Sequence, residues 1–162
     1  MFKYLEKIRK SPGPGRLINF FGYLYLSLWN HIFNKIPSYF LRYYIAKYLY
    51  GLKIGKSNIH MGVFFFSPWR ISIGDNCNIQ MDCVLDGRGE IEIGNNVDIT
   101  FGVRILTEQH DINDPEYSTQ MKKVVIDDNV IAGAYSLIMP GVHLNEDGHK
   151  QAQAAADGGR LR

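Results

Sequence analysis

Cysteine, surplus charge and long apolar stretches are all scarce in this sequence. Its 162 residues include two cysteines, Cys77 and Cys83, which are too few for a disulfide framework and fit no metal-binding pattern. Two such cysteines suit a reducing compartment. The net charge of +2 gives no reason to expect a nucleic-acid partner, which would require basic residues gathered on one face. What remains has the size and composition of one globular domain.

No segment has the pattern of a cleaved signal or a membrane span. Residues 1–10 are basic, but residues 12–15 (Pro-Gly-Pro-Gly) interrupt the chain before any apolar stretch begins. The apolar run over residues 17–29 contains Asn19 and falls short of the roughly 20 residues that cross a bilayer. These features predict a cytoplasmic location, with peripheral contact at the inner face of the membrane as an additional option.

The chain divides into three parts of different character. Residues 1–50 are rich in Tyr, Phe, Leu, Lys and Arg, and residues 51–144 are punctuated by Ile, Gly, Asp and Asn. Residues 145–162 contain no large apolar residue except Leu161. We expect this last part to be a disordered tail, unrelated to the preceding repeat, that follows a truncation.

A six-residue repeat in the middle part decides the predicted fold. An aliphatic residue recurs at every sixth position, usually with a small residue four places later, and such internal repeats outweigh local propensity. The hexads begin at positions 73, 79, 93, 99, 126, 132 and 138, with a weaker start at Ile54. Three hexads form one triangular coil, whose aliphatic residues point inward and stack on the coil below. The prediction is a mainly β protein, a left-handed parallel β-helix.

The spacing between equivalent aliphatic residues tests this prediction. Successive intervals from Ile54 to Ile73, Ile93 and Ile126 are 19, 20 and 33 residues, whereas three hexads account for 18. Small excesses indicate insertions at corners, and the excess of 15 predicts a loop extruded over residues 107–121. A β-sandwich of short strands is the alternative, but sandwiches lack a sustained six-residue register.

The first fifty residues lack the repeat and show approximate helical spacing. Two helices are predicted, separated by Pro37. The helices are interpreted as a cap over the open end of the β-helix, whose first coil otherwise exposes its edge. Their aromatic and basic content is also typical of a helix at a membrane surface, and the two interpretations are compatible.

The extruded loop contains one candidate for proton transfer. His110 is its only side chain with an unperturbed pKa near neutrality, and a neutral imidazole can deprotonate a hydroxyl that attacks a carbonyl. The alternative is a solvated loop histidine among acidic neighbours, and periodicity alone does not decide between the two.

Several stretches together resemble the hexapeptide-repeat O-acetyltransferases, nearest to bacterial enzymes acting on sugars or polysaccharides, such as the maltose and galactoside acetyltransferases. The resemblance rests on residues 84–97, the loop over 107–115, and residues 130–142 with Pro140-Gly141. It implies acetyl transfer from acetyl-CoA to a hydroxyl of a sugar or glycan, without a metal, by a homotrimer with active sites between subunits.

The resemblance also implies roles for individual residues. His110 would be the general base. The acyl-CoA groove would follow Ala132, Gly133 and Ala134, where a backbone N–H could stabilise the thioester oxyanion. Asp82 and Asp86 lie where the family often places acceptor-binding residues, although Asp86 fits a corner position equally well.

Two departures from the family pattern weaken the expected donor site. The repeat stops at Leu144, whereas family members continue for further coils, and Ile131 stands where an aromatic residue is common. A catalytically inactive or scaffold relative is therefore a competing prediction. A zinc enzyme of the same architecture is disfavoured, because His60, His110, His143 and His149 lack the close spacing of a three-histidine site.

Overall fold

The structure, a computed structural model, describes residues 14–111, 114–116 and 118–145. The tail predicted over residues 145–162 therefore lies outside the described residues from position 146 onward. Within the described ranges, no helix has both the length and the apolar character needed to span a bilayer.

Three parallel sheets wrap around one axis, and we name them faces A, B and C. Each of the first four turns of the chain contributes one short strand to every face, which confirms the predicted left-handed parallel β-helix. Face A contains β1 (Lys53–Ile54), β4 (Ile71–Ile73), β7 (Ile91–Ile93), β12 (Val124–Ile126) and β15 (His143–Leu144). Face B contains β2 (Asn58–Ile59), β5 (Asn78–Ile79), β8 (Asp98–Ile99) and β13 (Ile131–Ala132). Face C contains β3 (Phe64–Phe66), β6 (Val84–Asp86), β9 (Arg104–Ile105) and β14 (Leu137–Ile138).

Inward aliphatic side chains stack in one column for each face. Ile73 pairs in register with Ile93, Ile79 with Ile99, and Leu85 with Ile105. All the members of these columns are buried, so each coil removes a ring of apolar surface from water at about 25 cal/mol per Å². The six-residue register read from the sequence is thus the register of the core.

Most corners of the coil contain a residue with a positive φ. Asn76, Asn96 and Asn129 occupy this conformation between faces A and B, and their side-chain amides form a ladder with spacings of 2.8 and 3.2 Å. Asn tolerates the left-handed region better than most residues because its short polar side chain hydrogen-bonds locally. The Asn punctuation of the sequence therefore marks the turns between strands.

All three insertions fall at the same corner, where face C leads into face A. The first insertion forms a 3-10 turn, Pro68–Arg70. The interval from Ile54 to Ile73 is nevertheless only 19 residues, because the corner between β1 and β2 is shortened. The second insertion is the 3-10 turn Gly87–Gly89. The third is not a simple loop, because β10 (Glu108–His110) and β11 (Thr119–Met121) pair as an antiparallel hairpin.

The helical extension covers the first coil, which has no coil beneath it to pair with its backbone. It consists of α1 (Pro14–His31), a 3-10 turn (Phe33–Lys35), and α2 (Tyr39–Tyr44), which runs into a π-helical turn (Ile45–Leu49). The indole of Trp29 packs on Phe65, with ring centroids 5.2 Å apart, and donates to the carbonyl oxygen of Val63 at 3.0 Å.

Two polar side chains of the extension replace the missing backbone partners. Asn30 donates to the carbonyl oxygen of Phe65 at 3.0 Å and accepts from its N–H at 2.9 Å, as a neighbouring strand would. The buried guanidinium of Arg42 donates twice to the carbonyl oxygen of Ile59, at 2.8 and 3.0 Å. Since unpaired buried backbone groups are costly, these contacts make the extension a cap.

The cap predicts a specific loss of stability. Asn30→Ala leaves both backbone groups of Phe65 without partners, and we expect the free energy of unfolding to fall by about 2 kcal/mol. Urea denaturation followed by circular dichroism measures the change. Ser27→Ala, at an exposed position of the same helix, is the control and should change stability by less than about 0.5 kcal/mol. Equal effects of the two substitutions would contradict the capping role.

Candidate active site

The candidate site is built on the corner that carries the three insertions. The 3-10 turns Pro68–Arg70 and Gly87–Gly89 stack beneath the hairpin base, where an added Cβ on Gly89 would come within 2.7 Å of the Thr107 carbonyl oxygen. The Thr107 hydroxyl donates to the Asp86 carbonyl oxygen at 2.5 Å and accepts from Gly89 N–H at 2.6 Å. The hairpin therefore rises from a base that the two lower turns hold in place.

Arg88 contacts residues of three successive coils at this corner. Its guanidinium lies 5.3 Å from the centroid of the Phe66 ring below and donates to both carboxylate oxygens of Asp86, at 2.8 and 2.7 Å. It also forms an ion pair with Glu108 in β10 above. The hydrogen bonds to Asp86 raise the pKa of Arg88 above its usual value, so the guanidinium stays charged and ties the hairpin to the coil.

His110 ends β10, two residues after Glu108, and its side chain is exposed. It pairs in register with Thr119 of the opposing strand. A residue on a short paired strand has a more defined position than one on an irregular loop. The structure thus places the imidazole on a hairpin that projects from the β-helix, at the outer surface.

The described part of the hairpin tip is organised by Asp114. Its carboxylate accepts from the backbone N–H groups of Glu116 at 3.0 Å and Ser118 at 3.2 Å. Hydrogen bonds from Ser118 and Glu116 lower the pKa of this carboxyl. The ionised form, and with it the turn, is therefore favoured at neutral pH and lost only as the pH falls through that lowered pKa.

The residues predicted to contact the donor lie at a different corner. Ala132 ends β13 on face B with its side chain in the core, while Ala134 is exposed at the turn toward face C. A Cβ added to Gly133 would meet nothing within 4 Å. The backbone at Gly133 is therefore accessible from the outer surface.

The two aspartates predicted to bind the acceptor are separated. Asp82 is an exposed corner residue between faces B and C, with φ 59°, on the same side as Ala134. Asp86 is completely buried and held by Arg88 below the hairpin, on the side of His110. The structure therefore does not bring the predicted residues of one chain together into one site.

Both thiols are buried in the corners of the β-helix. Cys77 donates to the carbonyl oxygen of Gly94, and Cys83 donates to that of Thr100, both at 3.0 Å. Burial raises the pKa of the Cys83 thiol to about 11. Since the thiolate is the nucleophilic form, Cys83 is protonated and inert at neutral pH.

A polar groove lies elsewhere, along face A. It has a volume of about 710 Å³ and is lined by residues that include Ser72, Glu92 and Asp127, but by none of the predicted site residues. Across the described ranges, no three His, Cys, Asp or Glu side chains are grouped so that they could hold a metal ion.

Sequence reasoning missed Arg88 and Glu108 as site residues. Their signal in the sequence is weak, because Arg88 is simply the residue between two glycines of a corner insertion. Only the stacking of one insertion on another brings Arg88 and Glu108 together.

Comparisons with known proteins support the fold and the family. No protein-family profile and no curated protein sequence matches the chain. A hexapeptide-repeat-containing acetyltransferase from Vibrio cholerae is 30% identical over 68% of this chain and 65% of its own, with a TM-score of 0.61. A maltose O-acetyltransferase from Clostridium difficile 630 is 26% identical over 76% of this chain and 66% of its own, with a TM-score of 0.63.

A third solved structure shows the shared fold. It is a hexapeptide-repeat-containing acetyltransferase from Vibrio cholerae O1 biovar eltor complexed with acetyl coenzyme A, and it is 22% identical with a TM-score of 0.51 over 76% of each chain. The present chain spans slightly less than two thirds of the length of the first two proteins. In its repeat, its three-faced coil and its overall structure, the chain is similar to hexapeptide-repeat acetyltransferases.

Proposed function

We propose that the protein is an acetyl-CoA-dependent O-acetyltransferase in which His110 is the general base. The observation that carries the proposal is an exposed imidazole on a paired strand, tied through Glu108 and Arg88 to a coil that is shared with two acetyltransferases. The similarity to a maltose O-acetyltransferase favours a hydroxyl of a sugar or glycan as the acceptor.

The proposed reaction is a direct transfer. His110 accepts the proton of the acceptor hydroxyl while that oxygen attacks the thioester carbonyl, so that the new O–C bond forms and the C–S bond breaks. The imidazolium then returns the proton to the thiolate of the leaving CoA. The buried thiols of Cys77 and Cys83 support this route, since an acyl-enzyme on cysteine would need an accessible thiolate.

The donor is proposed to lie along Ala132, Gly133 and Ala134. The open space beside Gly133 and the exposed Ala134 leave the backbone accessible to an extended pantetheine arm. A backbone N–H near Ala134 would stabilise the developing oxyanion, an interaction typically worth a few kcal/mol.

A neighbouring subunit is proposed to complete the site. In one chain His110 stands at the corner between faces C and A, whereas Gly133 and Ala134 lie at the corner between faces B and C. Three copies packed side by side around a threefold axis parallel to the β-helix axis would bring the hairpin of one copy over the Gly133 corner of the next. Acceptor contact by Asp82 and Asp86 stays a prediction, and for Asp86 the buried pair with Arg88 favours a positioning role.

The role of His110 as the base predicts a loss of turnover when its imidazole is removed. His110→Ala should lower kcat for acetyl transfer to a sugar acceptor by roughly 100-fold, measured as CoA release across a panel of sugars. His143→Ala, which removes an exposed strand histidine from β15, is the matched control and should retain the rate. An unchanged rate in His110→Ala would remove the base from this position, and a wild-type chain that transfers no acetyl group would favour a scaffold relative.

The next prediction concerns the thiols. Cys77→Ser and Cys83→Ser should each keep turnover within about twofold, because neither thiol takes part in the proposed chemistry. Iodoacetamide at neutral pH should label neither cysteine in the folded protein and both after denaturation, as read by mass spectrometry. An inactive serine variant that remains folded would replace direct transfer with a covalent mechanism.

A further prediction concerns the shared site. Light scattering should give a mass three times the 18.5 kDa of one chain. Gly133→Trp places a ring in the open groove, and it should be inactive alone, as should His110→Ala. Mixed oligomers of the two variants should recover about a quarter of the wild-type rate, because that share of interfaces pairs an intact imidazole with an intact groove. No recovery in verified mixed trimers would place the whole site within one chain.

A further inference from the structure

The helical cap carries apolar side chains on its outer surface as well as against the first coil. On α1, Phe20, Leu24 and Leu28 follow one another at intervals of four residues, with Phe21 beside them, and all are exposed. Residues at this spacing share one face of a helix. The opposite face is occupied by Trp29 and Asn30, which pack on the first coil. With one face packed on the coil, the exposed apolar row on the other face remains uncovered and marks an interaction surface.

A second exposed row of apolar side chains lies on α2 and the π-helical turn. Phe40, Tyr44 and Tyr48 are exposed and their rings lie next to one another in sequence, with centroid distances of 4.5 and 5.7 Å. Leu41 and Leu49 are exposed in the same segment. We call these two rows, on α1 and on α2 with its π-helical turn, the cap surface. Tyr is favoured at membrane interfaces because it combines an apolar ring with a polar tip. Phe and Leu are typical of the apolar face that enters the membrane.

Charge is divided between the two ends of the molecule. Within the part of the chain that the structure describes, residues 14–74 contain seven Lys or Arg and no acidic residue, whereas residues 75–145 contain four Lys or Arg and twelve Asp or Glu. Although the net charge of the whole chain is close to zero, the cap and the first coil therefore form a basic end. The exposed lysines Lys35, Lys53 and Lys56 belong to this end.

From these two observations we propose that the cap surface docks on a membrane of anionic phospholipid. The apolar rows would enter the boundary between headgroups and acyl chains, and the lysines would meet the negative headgroups. Docking through the cap surface is independent of the proposed acetyl transfer.

Charge argues against other occupants of the cap surface. A second copy that buried it against its own cap surface would bring two basic ends together. Residues 1–13 contain four Lys or Arg and one Glu, and residues 146–162 contain three of each sign, so neither stretch supplies the missing negative charge. An anionic lipid surface supplies both the negative charge and the apolar phase.

Vesicle sedimentation of the full chain tests the proposal. The protein should sediment with vesicles of phosphatidylcholine and phosphatidylglycerol, remain in solution with phosphatidylcholine alone, and be released at high salt, which screens headgroup attraction. Equal behaviour with the two kinds of vesicle would overturn the proposal.

Two pairs of variants separate the apolar and the charged contributions. Phe20→Ser/Leu24→Ser should weaken partitioning by at least about tenfold, whereas Leu137→Ser/Met139→Ser, at similarly exposed positions of the acidic end, should not. Lys53→Glu/Lys56→Glu should weaken it several-fold more than Lys122→Glu/Lys123→Glu. Thermal melts without vesicles verify that the variants fold.

The same variants distinguish a protein partner from a lipid one. If Phe20→Ser/Leu24→Ser left vesicle binding intact but reduced the mass measured by light scattering, the cap surface would be an interface between copies and the proposal would be wrong.

Discussion

The stacking of each coil on the next, in a fixed parallel register, is the constraint on which everything else in this structure depends. A strand of two or three residues cannot persist alone, because its few hydrogen bonds do not offset the cost of ordering the chain. Here every strand of the second and third coils pairs above and below, and every inward aliphatic residue lies on its equivalent in the neighbouring coil. The cooperative unit is therefore the stack, and single strands are stable only within it.

Such a stack has ends, and the helical cap shows how one of them is closed. Trp29, Asn30 and Arg42 offer to the first coil the hydrogen-bond partners that a further coil would have supplied. Because these contacts use one face of the cap, the sequence is free to place aromatic and aliphatic residues on the other. The end of the molecule that the cap closes is also its basic end. The same helices therefore pair with the first coil and carry a surface that differs in charge from the rest of the molecule.

A rigid coil also concentrates variation at its corners. All three insertions emerge where face C leads into face A, and each rests on the one below, with Arg88 as the connecting group. A hairpin supported in this way can hold an imidazole outside the coil without disturbing the core. The predicted donor residues occupy another corner, so the triangular section of the coil separates them from His110 within one chain.

The sequence by itself determined the coil, the position of every inward column, the corner insertions and the loop that bears His110, because a six-residue period leaves a residue-by-residue record of which side chains face inward. It also indicated helices before the coil. Tertiary structure alone decided that the loop is a paired hairpin, that Arg88 joins Asp86 to Glu108, and that Asp82 and Asp86 lie at different corners. The ion pair between Arg88 and Glu108 joins residues twenty positions apart on successive coils, whereas the bond from Arg88 to Asp86 and the pairing of β10 with β11 form within one turn of the chain. The local pattern of the sequence contains no trace of which insertion will rest on which.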